Sequence, residues 1–344
     1  MEKITVIGFT SSGKTCYLAG MYDAMSYGVK NFSLIEHDPE QDSYLQNLWE
    51  NISSSKGRRW PVPNDEKRTY SFALCHSFEP VMDFEWLDYP GGALTDLGYG
   101  LLDEIKNQLA DSSCLLVLIN GESFAYEGSF RDASRPRITA NSAKEYQEIV
   151  KRNLRLNKDL VAIKKLSELG VELKKKGQHL PPIALVVTKS DLIEDRWVDC
   201  VRPIIHESFE SIFGKNTEKD RLVMVSAVTL GEGIADGANA DPVDIEIPIA
   251  YAVLAMLCDY IQRAQAAKTN DQRTLSEKDT FWGRIIRPGE LEQLRKDIAK
   301  IDENISNFSK DAIRLLDLFD DDAVIYVNGD QRKLRSFFEK KIRA

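Results

Sequence analysis

Gly8-Phe9-Thr10-Ser11-Ser12-Gly13-Lys14-Thr15 is the stretch that decides the fold of this chain. It is a complete G-x-x-x-x-G-K-[ST] loop, and its flanks give the letters meaning. Ile4 to Ile7 reads as a short buried strand. Cys16 to Met25 continues as an amphipathic helix with Leu18, Met21, Tyr22 and Met25 on one side. In that setting Gly8 and Gly13 let the backbone curl, so that the N–H groups from Ser11 and Ser12 through Gly13 to Cys16 face one point. The helix N-terminus adds its partial positive charge there. Lys14 is placed to reach the β- and γ-phosphates of a nucleotide, and the Thr15 hydroxyl to hold Mg²⁺. The competing reading is a glycine-rich turn that binds nothing. The loop alone says nucleoside triphosphate and does not say which.

Three further apolar runs read as strands of a parallel sheet: Cys114 to Ile119, Ile183 to Val187 and Leu222 to Val225. None alternates in the manner of a half-exposed strand, as expected when helices cover both faces. Helical stretches lie between them, so the expected class is α/β: a P-loop, doubly wound, mainly parallel sheet with helices on both faces. Ligands in such folds bind at the carboxyl ends of strands, and further motifs fall there.

Met82 to Asp88 is a strand that runs into Tyr89-Pro90-Gly91, giving Asp-x-x-Gly. Asp88 is placed to join the Mg²⁺ shell, and the Gly91 N–H to meet a γ-phosphate; the bland reading is a strand end that turns. Ile183 to Val187 leads directly into Thr188-Lys189-Ser190-Asp191, which resembles the guanine-specificity motif [NT]-K-x-D of Ras-like GTPases. The resemblance implies that the Asp191 carboxylate accepts two hydrogen bonds from the ring N–H and exocyclic amine of guanine, a donor pair that adenine lacks. It implies too that the Lys189 stem would lie over the base. Taken alone, the segment also reads as a surface turn with Asp191 capping the next helix. The following strand ends in Ser226-Ala227-Val228, resembling the short S-A-x motif whose Ala N–H reaches guanine O6, which would be the Ala227 N–H here.

These motifs resemble the TRAFAC class of Ras-like GTPases over roughly residues 1 to 265. Gly8 to Leu18, Arg59-Trp60-Pro61 and Asp88-Tyr89-Pro90-Gly91 look most like the bacterial double-GTPase group. The resemblance implies GTP or GDP bound with Mg²⁺, and a place in a bacterial conflict or immunity system. Three departures matter. Gly92 stands where Ras-like enzymes carry a water-orienting Gln, so intrinsic hydrolysis is expected to be slow. No Thr occurs near Pro63-Asn64, where the first switch would supply its metal ligand, and Thr69 sits late. Thr188 replaces the commoner Asn, which is expected to remove a brace between base and phosphate loop. Arg58, Arg59 and Arg68 surround the first switch, and one of them, with Arg59 the choice, is a candidate catalytic cation; the alternative is a solvated basic loop.

Composition bounds the rest. The chain has 344 residues with 45 Lys plus Arg against 54 Asp plus Glu, a net charge of −9 that disfavours broad nucleic-acid binding. Five scattered cysteines suit a reducing cytoplasm rather than a disulfide framework. The first strand follows Met1 closely, so no signal peptide is expected, and no apolar run is long enough for a membrane helix.

The expected organisation is a GTPase domain over 1–267 with insertions at about 30–67 and 121–182, a linker over 268–287, and a helical extension over 288–344. Within the first insertion, Trp60 is expected to pack on the core, the alternative being that it reports the state of the switch. In the second, 143–175 reads as helical. From Pro288, Leu291, Leu294, Ile298, Ile301, Ile305, Phe308, Ala312, Leu315 and Phe319 recur at heptad spacing. That seam over 288–319 reads either as a coiled coil for self-association or a protein partner, or as an amphipathic helix folded back on the GTPase domain. A short strand and a basic amphipathic tail follow. The leading functional expectation is a GTP/GDP switch with Lys14, Gly91 and Arg59 in catalytic roles and slow hydrolysis. The alternatives are a non-hydrolysing GTP-bound scaffold acting through the heptad helix, or an ATP-dependent P-loop enzyme.

Overall fold

The computed structural model describes residues 1–8, 11–54, 58–62, 66–90, 102–130, 132, 134–214, 220–278 and 288–343. Gly91 and Gly92, as well as Pro63 and Asn64, lie outside them. The described chain divides into two compact units, Met1–Ala252 with Val324–Arg332, and Val253–Ala323 with Lys333–Ala344.

The first unit is built on one sheet. Its strands are β1 (Glu2–Gly8), β2 (Phe32–Glu36), β3 (Arg68–His76), β4 (Glu79–Asp88), β5 (Cys114–Asn120), β6 (Ile183–Thr188), β7 (Leu222–Ala227), β8 (Val324–Val327) and β9 (Asp330–Lys333). Their spatial order is β2-β3-β4-β1-β5-β6-β7-β8-β9. The central strands β4, β1, β5, β6 and β7 are parallel. β2 and β3 add an antiparallel edge on one side and β8 pairs antiparallel with β7 on the other. Every residue of β5 and β6 is buried, which explains their unbroken apolar sequences.

The helices of this unit include α1 (Lys14–Ser26), α2 (Pro39–Ser53), α3 (Leu102–Asp111), α4 (Glu122–Ala125), α5 (Ala143–Leu156), α6 (Asp159–Lys175), α7 (Asp195–Ser208) and α8 (Glu210–Phe213). α2 begins where Asp38 accepts a hydrogen bond from the Glu40 N–H at 2.9 Å, with Pro39 in the first turn. The first insertion holds β2 and α2. The helical stretch expected over 143–175 is broken at Lys158, whose left-handed φ of 64° ends one helix and starts the next.

α9 (Ile247–Lys278) is continuous across position 268, so the linker expected from that residue is helical as far as Lys278. In the second unit, α10 (Pro288–Leu316) pairs with the later part of α9: Phe308 stacks on Tyr260 at 5.4 Å and Lys268 meets Asp302 at 2.5 Å. The heptad seam is thus used inside the chain, while Leu294, Ile298, Ile301 and Ile305 stay partly exposed and Ala312 and Leu315 are buried. α11 (Leu334–Arg343) ends the unit, with Arg335 donating to the Leu316 carbonyl at 2.9 Å. Among the described residues no helix is long and apolar enough to cross a membrane.

Candidate functional site

The carboxyl ends of β1, β4, β5, β6 and β7 converge on the loop between β1 and α1. Gly13 takes φ 74°, a left-handed conformation that glycine adopts without strain, and α1 starts at the next residue. Gly8 is required for a different reason. A Cβ there would lie 2.4 Å from both the Lys14 Cγ and the Ser12 Oγ, because the Lys14 stem folds back over the strand end. Ser12 Oγ is buried with no hydrogen-bond partner among the described residues. Cys16, in the first turn of α1, has its thiol pushed up to about 11 by burial, which keeps it protonated and not nucleophilic at neutral pH.

The base end is tied together by the protein itself. Register places Asn120 beside Thr188 and Val187 beside Ala227, bringing the two guanine motifs side by side. Val228 N–H donates to the Val187 carbonyl at 2.8 Å and Ser190 N–H to the Val228 carbonyl at 3.1 Å. Gly121 closes the other flank: its N–H donates to the Thr188 carbonyl at 3.0 Å, and a Cβ there would sit 2.1 Å from that oxygen.

Thr188 overturns one expectation. Its hydroxyl lies 2.7 Å from the Ser12 carbonyl, nearer than the 3.2 Å to Ile119, and so braces the phosphate loop where Asn was thought to be needed. Lys189, at φ 54°, donates to the Ser11 carbonyl at 3.3 Å. Desolvation holds its ammonium below the ordinary lysine value. Both motif residues therefore grip main-chain oxygens of the loop.

Two positioning residues were missed in the sequence. Thr229 Oγ1 donates to Asp191 Oδ1 at 2.7 Å and accepts from the Gly231 N–H at 3.0 Å, fixing the carboxylate that would read the base. The Ser226 hydroxyl, in the expected motif itself, has no hydrogen-bond partner among the described residues. The Ser/Thr-x-Gly spacing of Thr229 and Gly231 was the available signal. Glu122 bridges Lys189 and Arg135 through its two oxygens, and no local pattern announces a contact across so long an insertion.

The phosphate-facing end is more open. Lys14 Nζ and Asp88 Oδ1 are 3.1 Å apart, with side chains 8% and 5% exposed. Among the described residues, Asp88 Oδ1 nonetheless has no well-directed hydrogen bond. Burial raises the Asp88 acid above its ordinary value, opposed by the Lys14 charge. Beside this pair is a cavity of about 380 Å³ lined by Thr15, Asp88, Tyr44, Leu48, Asn51, Arg59, Trp60, Pro61, Val62, Arg68 and Tyr70. A hydroxyl and a buried, under-bonded carboxylate on one cavity are the oxygen donors that Mg²⁺ takes when substrate phosphates and water supply the rest. Among the described residues no cluster of three or more His, Cys, Asp or Glu offers an all-protein cage. Thr69 is not on this cavity; Arg68 and Tyr70 are, and strand alternation turns Thr69 to the other face. Trp60 does not pack on the core: it is 47% exposed and lines the cavity.

A model of the double-GTPase 1 family matches residues 5–204. Among solved structures, the signal recognition particle receptor SRb-GTP/SRX complex from Chaetomium thermophilum is similar at 13% identity, covering 69% of this chain and 96% of that one, with a TM-score of 0.33. A mutant of NFeoB from S. thermophilus bound to GDP is similar at 11% identity, covering all of both chains, with a TM-score of 0.30. No curated protein matches the chain.

Proposed function

Because this chain belongs to the double-GTPase 1 family, we propose that it is a guanine-nucleotide switch that binds GTP and GDP with Mg²⁺ and hydrolyses GTP slowly. The observation that carries the reading is the pair of bonds from Thr188 and Lys189 to the Ser12 and Ser11 carbonyls. They join a base-reading segment to a phosphate-cradling loop at fixed separation, as a nucleotide requires.

Gly8, Ser11, Ser12, Gly13, Lys14, Thr15 and Cys16 hold the phosphates, mainly through main-chain N–H groups. Lys14 neutralises β- and γ-phosphate charge. Asp191, held by Thr229, accepts from the guanine edge, Lys189 covers the ring, and Ser226-Ala227-Val228 supplies an N–H for O6. Thr15 and Asp88 are the residues that would hold Mg²⁺, whose chemistry is to draw negative charge off the phosphate oxygens. Gly91 senses the γ-phosphate through its N–H, and loss of that phosphate releases the segments around Trp60 and Gly92. Gly92 offers no side chain to orient water, which keeps the basal rate low. The working site is cytoplasmic, within a bacterial conflict or immunity system, and the exposed part of the α10 seam is the surface for a protein partner or a second copy.

Equilibrium binding of GTP, GDP, ATP and xanthosine triphosphate tests the base assignment. Asp191→Asn is expected to weaken GTP by about 10²–10⁴-fold and to improve xanthosine triphosphate, since the hydrogen-bond complement is inverted. Unchanged GTP affinity in that variant sinks the guanine reading. A chain that binds GTP with Mg²⁺ but releases no phosphate is a scaffold, not an enzyme.

A further inference from the structure

The sequence offers three arginines around the first switch, and their surroundings separate them. Arg58 is consumed by the protein: Nε donates to the Ile52 carbonyl at 2.7 Å, Nη2 to Ala238 at 2.6 Å, and Nη1 to Ile234, with the guanidinium 5.7 Å over the Trp60 ring. Arg68 is held on Tyr44, bonded to its hydroxyl and stacked 4.9 Å over its ring. Arg59 differs. Its main chain is anchored, with its N–H donating to the Asn51 carbonyl at 3.0 Å at the end of α2. Its guanidinium has no hydrogen-bond or ion-pair partner among the described residues, and Arg59 is one of the residues lining the cavity shared with Thr15 and Asp88.

We propose that Arg59 is a catalytic residue that acts from within the same chain, entering the cavity beside Thr15 and Asp88 to meet charge developing on the γ-phosphoryl group. The proposal rests on the GTP-hydrolysis reading above and assigns the help that Gly92 cannot give. In the reaction a water oxygen bonds to the γ-phosphorus while the bond from that phosphorus to the β–γ bridging oxygen breaks. The electron pair leaves with the β-phosphate of GDP, and both water protons end on the released dihydrogen phosphate. Charge shifts toward the bridging oxygen as that bond loosens, and a planar cation on a main chain pinned at Asn51 stabilises it with little reordering. Arg58 and Arg68 cannot do the same without abandoning their present partners. An exposed side chain with no partner is also removable without disturbing the fold.

The test compares wild type, Arg59→Ala and Arg59→Lys in the full chain with Mg²⁺. Affinity for GTP and for GDP is expected to stay within about 3-fold, an interaction made in the transition state being weak in the ground state. Single-turnover cleavage of GTP is expected to fall by about 10³-fold in both variants, because a lysine does not reproduce the fork. A second readout needs no turnover: aluminium fluoride added to the GDP complex should raise retention of fluorescent GDP in wild type and not in Arg59→Ala. Wild-type cleavage in Arg59→Ala, or equal losses in GTP affinity and cleavage, overturns the assignment. If wild type binds GTP and never releases phosphate, the Arg59 role falls while nucleotide binding stands. If Asp191→Asn leaves GTP affinity unchanged, the base reading falls by itself.

Discussion

The two ends of the candidate nucleotide site are built differently. At the base end, Thr188, Lys189, Asp191 and Thr229 are already bonded to the phosphate loop, to Glu122 or to each other. At the phosphate end, Lys14 and Asp88 share one contact, and Arg59 faces an open cavity. On the proposed reading, a preformed base pocket would fix which nucleotide enters at small reordering cost, whereas an end whose groups await partners could change with the state of the γ-phosphate. Selection would be rigid and response loose.

The largest expected effect lies in the loose end. Lys14→Met leaves Asp88 buried without its counter-charge and should destabilise the nucleotide-free fold by about 3 kcal/mol, whereas adding Asp88→Asn should restore most of the loss. Urea unfolding of both single variants and the double variant measures the coupling; additive losses contradict a buried ion pair. Next comes Gly8→Ala, whose Cβ would strike Lys14 and Ser12 and should cost about 1–3 kcal/mol of GTP affinity by displacing the loop. Gly13→Ala, at φ 74° but with a Cβ that would meet the Thr188 side chain only at an ordinary 3.8 Å, should cost less, on the order of 1 kcal/mol. Equal losses at the two glycines, read by calorimetry, refute the steric argument.

At the rigid end, Thr188→Val removes the bond to Ser12 and should weaken GTP and GDP alike by about 5-fold. A loss confined to GTP means that Thr188 serves the γ-phosphate, which blurs the contrast between the ends.

The smallest effect on nucleotide binding is expected at Asp159, in the second insertion. It is buried beneath Ser123, whose hydroxyl donates to it at 3.4 Å, and burial raises its acid to about 8. The unfolded chain releases this proton near the ordinary value of about 4 and the folded chain only near 8, so stability is highest below the first value and falls between the two. Asp159→Asn should flatten that fall in melting temperature and leave GTP affinity unchanged. A melting temperature with the same slope in both chains rejects the buried acid.

How much of this could be read from letters follows the same divide. The parallel strands were visible because burial on both faces leaves unbroken runs such as Cys114 to Ile119. The phosphate loop and the candidate segment Thr188-Lys189-Ser190-Asp191 could be picked out because each is contiguous in the sequence. The edge strand β2 was not, since its five residues mix Glu36 and Ser33 with apolar ones. Glu122 and Arg59 were hidden or undecided for a common reason: their meaning depends on contacts, or the lack of them, that only the folded chain defines. Thr188 was misjudged because substituting one side chain for another says nothing about how near the next carbonyl lies.

The grip on Ser11 and Ser12 has one more consequence. Thr188 and Lys189 hold carbonyl oxygens, not side chains, and Ser11 adopts φ 64°. Position 11 is therefore written in torsion angle and not in chemistry. Glycine or asparagine should read there as synonyms of serine, while valine or proline, however similar in size, should be nonsense. A library randomised at that single codon would recover the backbone's grammar while scrambling its spelling.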